Sequence, residues 1–190
     1  MKSTTTLLLT MFAGFVIMGC KSKSQKNNDT VDLKEMAKKY PGINKGAGTY
    51  DISAPEGWDK KDTTMSGVKF TAIISPPDGA NDIFRENINV VTENAKDLNL
   101  DEYEKANRLT MKGQMTGMNI IKDGETVIGN MPAKWIFYSF DYSGYPLKNT
   151  VYFLVKNRIG YTITCSALSS DFDKFQAAFK TSVNSFTINE

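Results

Sequence analysis

Two strands followed at once by a helix, between Val151 and Phe186, restrict the fold more than any other stretch. Val151-Tyr152-Phe153-Leu154-Val155 is a β-branched and aromatic run. The polar turn Asn157-Arg158-Ile159-Gly160 follows, and Tyr161 to Ala167 then alternates apolar and polar with period two. After Ser169-Ser170 the period lengthens. Phe172, Phe175, Phe179, Val183 and Phe186 recur every three or four residues, the spacing of one helix face. A stripe of four phenylalanines needs a sheet to cover, and the two preceding strands supply part of one.

Upstream, Tyr50-Asp51-Ile52-Ser53 reads as a first strand, stopped by Pro55-Glu56-Gly57-Trp58, with Trp58 folding back to plug one end of the core. Polar Asp59 to Ser66 reads as a link to a second strand, Val68 to Ile74. Ser75 to Asp82 holds two prolines and a glycine and reads as a surface loop. Its acids raise the question of calcium, but the order of an EF-hand loop is not met. Glu86 to Thr92 is a third strand. Asn99 and Glu102 have the spacing of a capping box for a helix that begins at Leu100, with Leu100, Tyr103, Ala106 and Leu109 as its apolar stripe and an end by Gly113 or Gly117. Met118 to Ile121, a Lys122-Asp123-Gly124 turn and Thr126 to Ile128 read as a small hairpin.

The longest apolar strand is Ala133 to Tyr142. Trp135 and Phe137 point one way, and Ile136, Tyr138, Phe140 and Tyr142 the other, so both faces require cover. Gly144-Tyr145-Pro146 turns the chain into Val151. The expected class is therefore α+β, an antiparallel sheet of about six strands between helices.

The first 48 residues have a different character. Lys2 precedes an uncharged stretch, Thr4 to Gly19, rich in Leu, Phe, Val, Ile and Met, which matches the apolar region of a signal peptide and is short for a membrane span. It ends Val16-Ile17-Met18-Gly19-Cys20, which resembles the lipobox of bacterial lipoproteins. That resemblance implies cleavage before Cys20 and acylation of its thiol, with diacylglycerol and palmitate chains as the membrane anchor; stable anchoring takes more than one chain. Lys21 stands where an Asp would favour retention in the inner membrane, so the outer membrane, facing the periplasm, is the expected site. Lys21 to Thr30 has no aliphatic or aromatic residue and reads as a leash. Val31 to Tyr40 is a short, weakly amphipathic stretch ended by Pro41-Gly42. The division is a signal peptide over 1–19, a lipidated tether over 20–48 and one domain over 49–190.

Composition narrows the chemistry. The 190 residues contain no histidine, which removes Ser-His-Asp and Cys-His catalysis and histidine-ligated zinc. The net charge of +2 is unevenly spread: residues 20–48 hold seven lysines against three acids, and residues 49–190 hold 15 basic against 18 acidic groups. Nucleic acid is thus not an expected partner of the domain. Cys20 and Cys165 are the only cysteines. With Cys20 acylated, Cys165 has no disulfide partner and reads as a small buried hydrophobe.

Several short patterns together resemble the PsbP-like family, which includes DcrB-type bacterial envelope lipoproteins. They are the Tyr50-to-Trp58 entry, the Asn87-Ile88-Asn89-Val90 strand, the Leu100-Asp101-Glu102-Tyr103 helix start, Gly129-Asn130-Met131-Pro132-Ala133 before an aromatic strand, and the Phe-rich terminal helix. The resemblance covers roughly residues 49–188 and implies an antiparallel sheet between helical layers and roles in binding or assembly. No cofactor is implied, because histidines that some photosynthetic members use near metals have no counterpart here.

The expected function is a lipid-anchored, non-enzymatic module of the cell envelope that binds an envelope protein. The alternative is a carrier or sensor of a small apolar ligand in an aromatic groove. Among the aromatics, Tyr142 and Tyr145 are the candidates for a partner or ligand surface; strand aromatics such as Trp135 and Phe137 read as core. A carboxylate-pair hydrolase is a third reading, but Asp101-Glu102 and Asp171-Asp173 stand at helix starts, where the helix dipole favours acids.

Overall fold

The structure, a computed structural model, describes residues 49–189 except 66–67, 80–81 and 116. The expectations for residues 1–48, Cys20 among them, lie outside the described residues. Among the described residues nine strands and two helices follow in order: β1 (Tyr50–Asp51), β2 (Asp59–Met65), β3 (Val68–Ile74), β4 (Asn87–Asn94), α1 (Leu100–Gln114), β5 (Asn119–Ile128), β6 (Met131–Tyr142), β7 (Tyr145–Lys156), β8 (Ile159–Leu168), α2 (Phe172–Asn184) and β9 (Thr187–Ile188). The main sheet has seven strands in the order β2-β3-β4-β8-β7-β6-β5, all antiparallel to their neighbours, and β1 pairs with β9 apart from it. The expected class therefore holds, with one strand more than the six foreseen.

β5 to β8 form a meander whose turns are made by two residues each in the left-handed region: Gly129-Asn130, Ser143-Gly144 and Asn157-Arg158. Such turns match the right-handed twist of the flanking strands. α2 lies on one face of the sheet. There Phe172, Phe179, Val183 and Phe186 close over Tyr161, Ile163, Cys165 and Ala167, joined by Ile88 and Val90. The foreseen phenylalanine stripe is thus the core of this face, although Phe186 falls just beyond the helix. Trp58 sits edge-on to Phe175 and Phe179, at 6.0 Å from each, and plugs this core as expected. α1 lies on the other face, where Tyr103 and Met111 meet Ile136, Tyr138, Phe140, Val151 and Phe153. The division of β6 between two faces is as its alternation foretold.

Four details differ from expectation, each for a physical reason. Asp59 to Ser66 is not a link: Asp59–Met65 is the edge strand β2. With one edge in water, its strand character is carried by pairing rather than by apolar side chains. Met118 to Ile128 is not a hairpin but one strand, β5, paired along its length with β6. A register shift at Ile121 restores the alternation that the sequence breaks, and Gly124, opposite Trp135, leaves room for the indole, whose atoms come to 3.1 Å from where a Cβ would stand. The turn before β7 is Ser143-Gly144, so Tyr145 and Pro146 are already strand. Finally, Leu109 is 74% exposed. Steps of three residues advance 300°, so Leu109 stands half a turn away from Leu100. The buried face is instead Tyr103, Glu104, Asn107 and Met111.

Candidate functional site

The capping box at Asn99 is complete: its side chain accepts from the Glu102 N–H, and the Glu102 carboxylate accepts from the Asn99 N–H, both at 3.0 Å. Asp101 pairs with Lys134 of β6. At the second helix, Asp171 pairs with Lys174, which holds its carboxyl below the usual range, and Asp173 accepts from Gln176 at 2.7 Å. Both carboxylate pairs therefore have structural partners. In the 75–86 loop Asp82 accepts the N–H groups of Asp78 and Phe84 at 2.9 and 3.1 Å and shapes the loop itself. Among the described residues no group of three or more metal-ligating side chains comes together.

Cys165 is fully buried, and burial pushes its thiol far above the ordinary range, so it is inert as a nucleophile. Of the aromatic concentration, Tyr138, Phe140 and Phe153 are buried, and Phe137 and Tyr152 pack against the α2-side core. Tyr142 and Tyr145 are brought together: they are directly opposed across the Ser143-Gly144 turn. Tyr142 is 38% exposed, and Tyr145 is half-buried against the α1-side core. Asp141 accepts from the Gly144 N–H at 2.7 Å and fixes the hairpin tip that carries them.

Two polar constellations on the α1 side escaped the sequence reading. In the first, the Tyr103 hydroxyl donates to Glu93 at 2.7 Å and lies 3.1 Å from the Thr162 hydroxyl, tying α1 to β4 and β8. The phenol ring rests on Gly160, where any Cβ would overlap it. Glu93 is opposite Gly160 in register, and desolvation, outweighing the Tyr103 hydrogen bond, pushes its carboxyl up to about 7. The second constellation runs across the strands. Asn87 of β4, Ser166 of β8, Asn149 of β7 and Tyr138 of β6 stand in one register row, and Asn89 stands two residues along β4 on the same face. Asn87, Asn89, Asn149 and Ser166 are each 1% exposed or less. No periodicity signal finds such residues, because strand alternation treats Asn and Ser as solvent-facing.

No protein-family model matches the chain, and no curated protein matches it in sequence. Solved structures do. LpqN of Mycobacterium tuberculosis, a protein involved in cell envelope biogenesis, superposes with a TM-score of 0.63 at 16% identity, over 76% of this chain and 86% of LpqN. PA94 of Pseudomonas aeruginosa, a protein of unknown function, superposes with a TM-score of 0.58 at 14% identity, over 76% of this chain and 99% of that one. Cyanobacterial PsbP from Synechocystis gives a TM-score of 0.49 at 14% identity. At these identities a likeness concerns fold and not activity. The helix–sheet–helix sandwich that the sequence motifs implied is the fold of this chain, and LpqN and PA94 share it.

Proposed function

We propose that this chain is a lipid-anchored, non-enzymatic binding or assembly module of the bacterial cell envelope. The observation that carries the reading is the run Val16-Ile17-Met18-Gly19-Cys20 after an uncharged apolar stretch, joined by a polar tether to a domain that shares its fold with an envelope-biogenesis protein. The structural engagement of both carboxylate pairs and the complete lack of histidine support a role without chemistry.

The geometry adds a direction. The tether enters at Thr49, whose carbonyl accepts from the Asn189 N–H, near the end of the sheet where Gly129 meets the Phe186 carbonyl. Tyr142 stands at the far end of the 12-residue β6, about 35 Å away at the rise of an antiparallel strand. The Tyr142–Tyr145 tip therefore lies at the opposite end of the sheet from Thr49, which supports it as the surface offered to a partner.

Metabolic labelling with palmitate tests the anchor: wild type takes up label and partitions with membranes, and Cys20→Ala does neither. A labelled Cys20→Ala protein refutes the lipobox. A photo-crosslinking residue in place of Tyr142 tests the tip, with the same residue at the exposed Lys180 of α2 as control. Capture of an envelope protein from Tyr142 and not from Lys180 supports the module, and equal capture from both removes the assignment of the tip.

A further inference from the structure

The α1 side of the sheet holds a cluster of neutral polar groups that the fold does not use. The Asn89 amide nitrogen donates to Asn87 Oδ1 at 2.9 Å, and the Asn87 nitrogen donates to the Arg85 carbonyl at 3.0 Å. Asn89 Oδ1 and Ser166 Oγ have no hydrogen-bond partner among the described residues, and Asn149 has none beyond the Tyr138 hydroxyl opposite it, although all are buried. Leaving buried donors and acceptors unpaired is costly, and an apolar residue of similar shape avoids the cost, so an unpaired row marks a site that serves something other than stability.

The surroundings are those of a ligand site. Phe84, Met111, Met115, Phe140 and Leu147 form the buried apolar cluster on this same face of the sheet, and methionine side chains adapt to an occupant. Asp101 to Lys134, Tyr103 to Glu93, and Arg108 to Asp123 at 2.9 Å fasten α1 to the strands along its length as far as Arg108. Beyond Arg108 its buried contact is through Met111, followed by Met115 at the cap, so this end is the one able to yield.

We propose that the Asn89–Asn149–Ser166 row, on the face of the sheet that α1 covers, binds a small uncharged amphiphile through a carboxamide or hydroxyl head group. Asn149 supplies both donors and acceptors, Ser166 either, and Asn89 an acceptor. No charged side chain belongs to the row, so a carboxylate or ammonium head is rejected by desolvation. The assignment gives the binding module a ligand class, but it rests on the domain alone and stands whether or not Cys20 is acylated.

The test uses the full chain in lipid nanodiscs, butanamide as probe and butanoate as its charged match. Side-chain amide NMR signals of Asn89 and Asn149 are expected to shift saturably with butanamide, at least tenfold more weakly with butanoate. Asn149→Leu should lose the response at least tenfold while melting no lower than wild type; Ser166→Ala gives the same reading if Asn149→Leu does not fold. Absence of a saturable shift overturns the site, as does equal response to both probes. An unchanged response in the folded variants also overturns it, by placing the probe elsewhere. Palmitate labelling is unaffected by every one of these outcomes, so failure here is distinct from failure of the anchor.

Discussion

Glu93→Gln isolates the buried carboxyl beneath α1. In the folded protein this group is held up at about 7 by desolvation, against 4.5 for an ordinary glutamate. A raised carboxyl means that the folded state binds the proton more tightly than the unfolded one. Its contribution is therefore fully present below pH 4.5, declines as pH rises and the unfolded chain ionises first, and is gone above pH 7. At 1.36 kcal/mol per pKa unit the decline amounts to at most about 3 kcal/mol. Glutamine keeps an oxygen to accept the Tyr103 hydroxyl and never ionises. The expected result is that wild type and Glu93→Gln unfold at nearly the same urea midpoint at pH 4, and that the variant is the more stable by up to about 3 kcal/mol at pH 8. Taking the difference between the two proteins cancels the other carboxyls, including Glu86, whose pKa burial also raises. A stability difference that does not change between pH 4 and pH 8 would refute the burial argument.

Phe179, 4% exposed among Phe172, Phe175 and Trp58, should cost about 3–5 kcal/mol as Phe179→Ala in urea unfolding, whereas the exposed Lys180→Ala should stay within about 0.5 kcal/mol. The phase of α1 is checked the same way: Met111→Ala should destabilise by about 2–5 kcal/mol and Leu109→Ser by no more than about 0.5 kcal/mol, and the reverse order would restore the face read from sequence. Gly160→Ala drives a Cβ into the Tyr103 ring and should lower the melting temperature sharply. Adding Tyr103→Ala should then cost less than the sum of the two single changes, a coupling that purely additive melting data would exclude.

Patterns of period two and 3.6 need no knowledge of neighbours, and they carried the class of fold. The β6 alternation announced cover on both faces of the sheet, and the phenylalanines of α2 announced which helix face would supply part of it. The helix start at Leu100 was legible because a cap is a local contact, between residues three apart. β2 and the unity of β5 were not, since a polar edge strand and a glycine beneath a tryptophan make sense only once the pairing strand is in place. The two polar constellations lay further still from the sequence. Glu93 and Tyr103 are ten positions apart, and Asn89 and Asn149 sixty; the docking of α1 brings the first pair together, and strand register sets the second on one face. Their burial, which turns ordinary polar residues into an elevated carboxyl and a row with unpaired polar atoms, is a property of what α1 covers. The proposed anchor is the opposite case: its motif, Val16 to Cys20, is a run of five residues read from the chain itself.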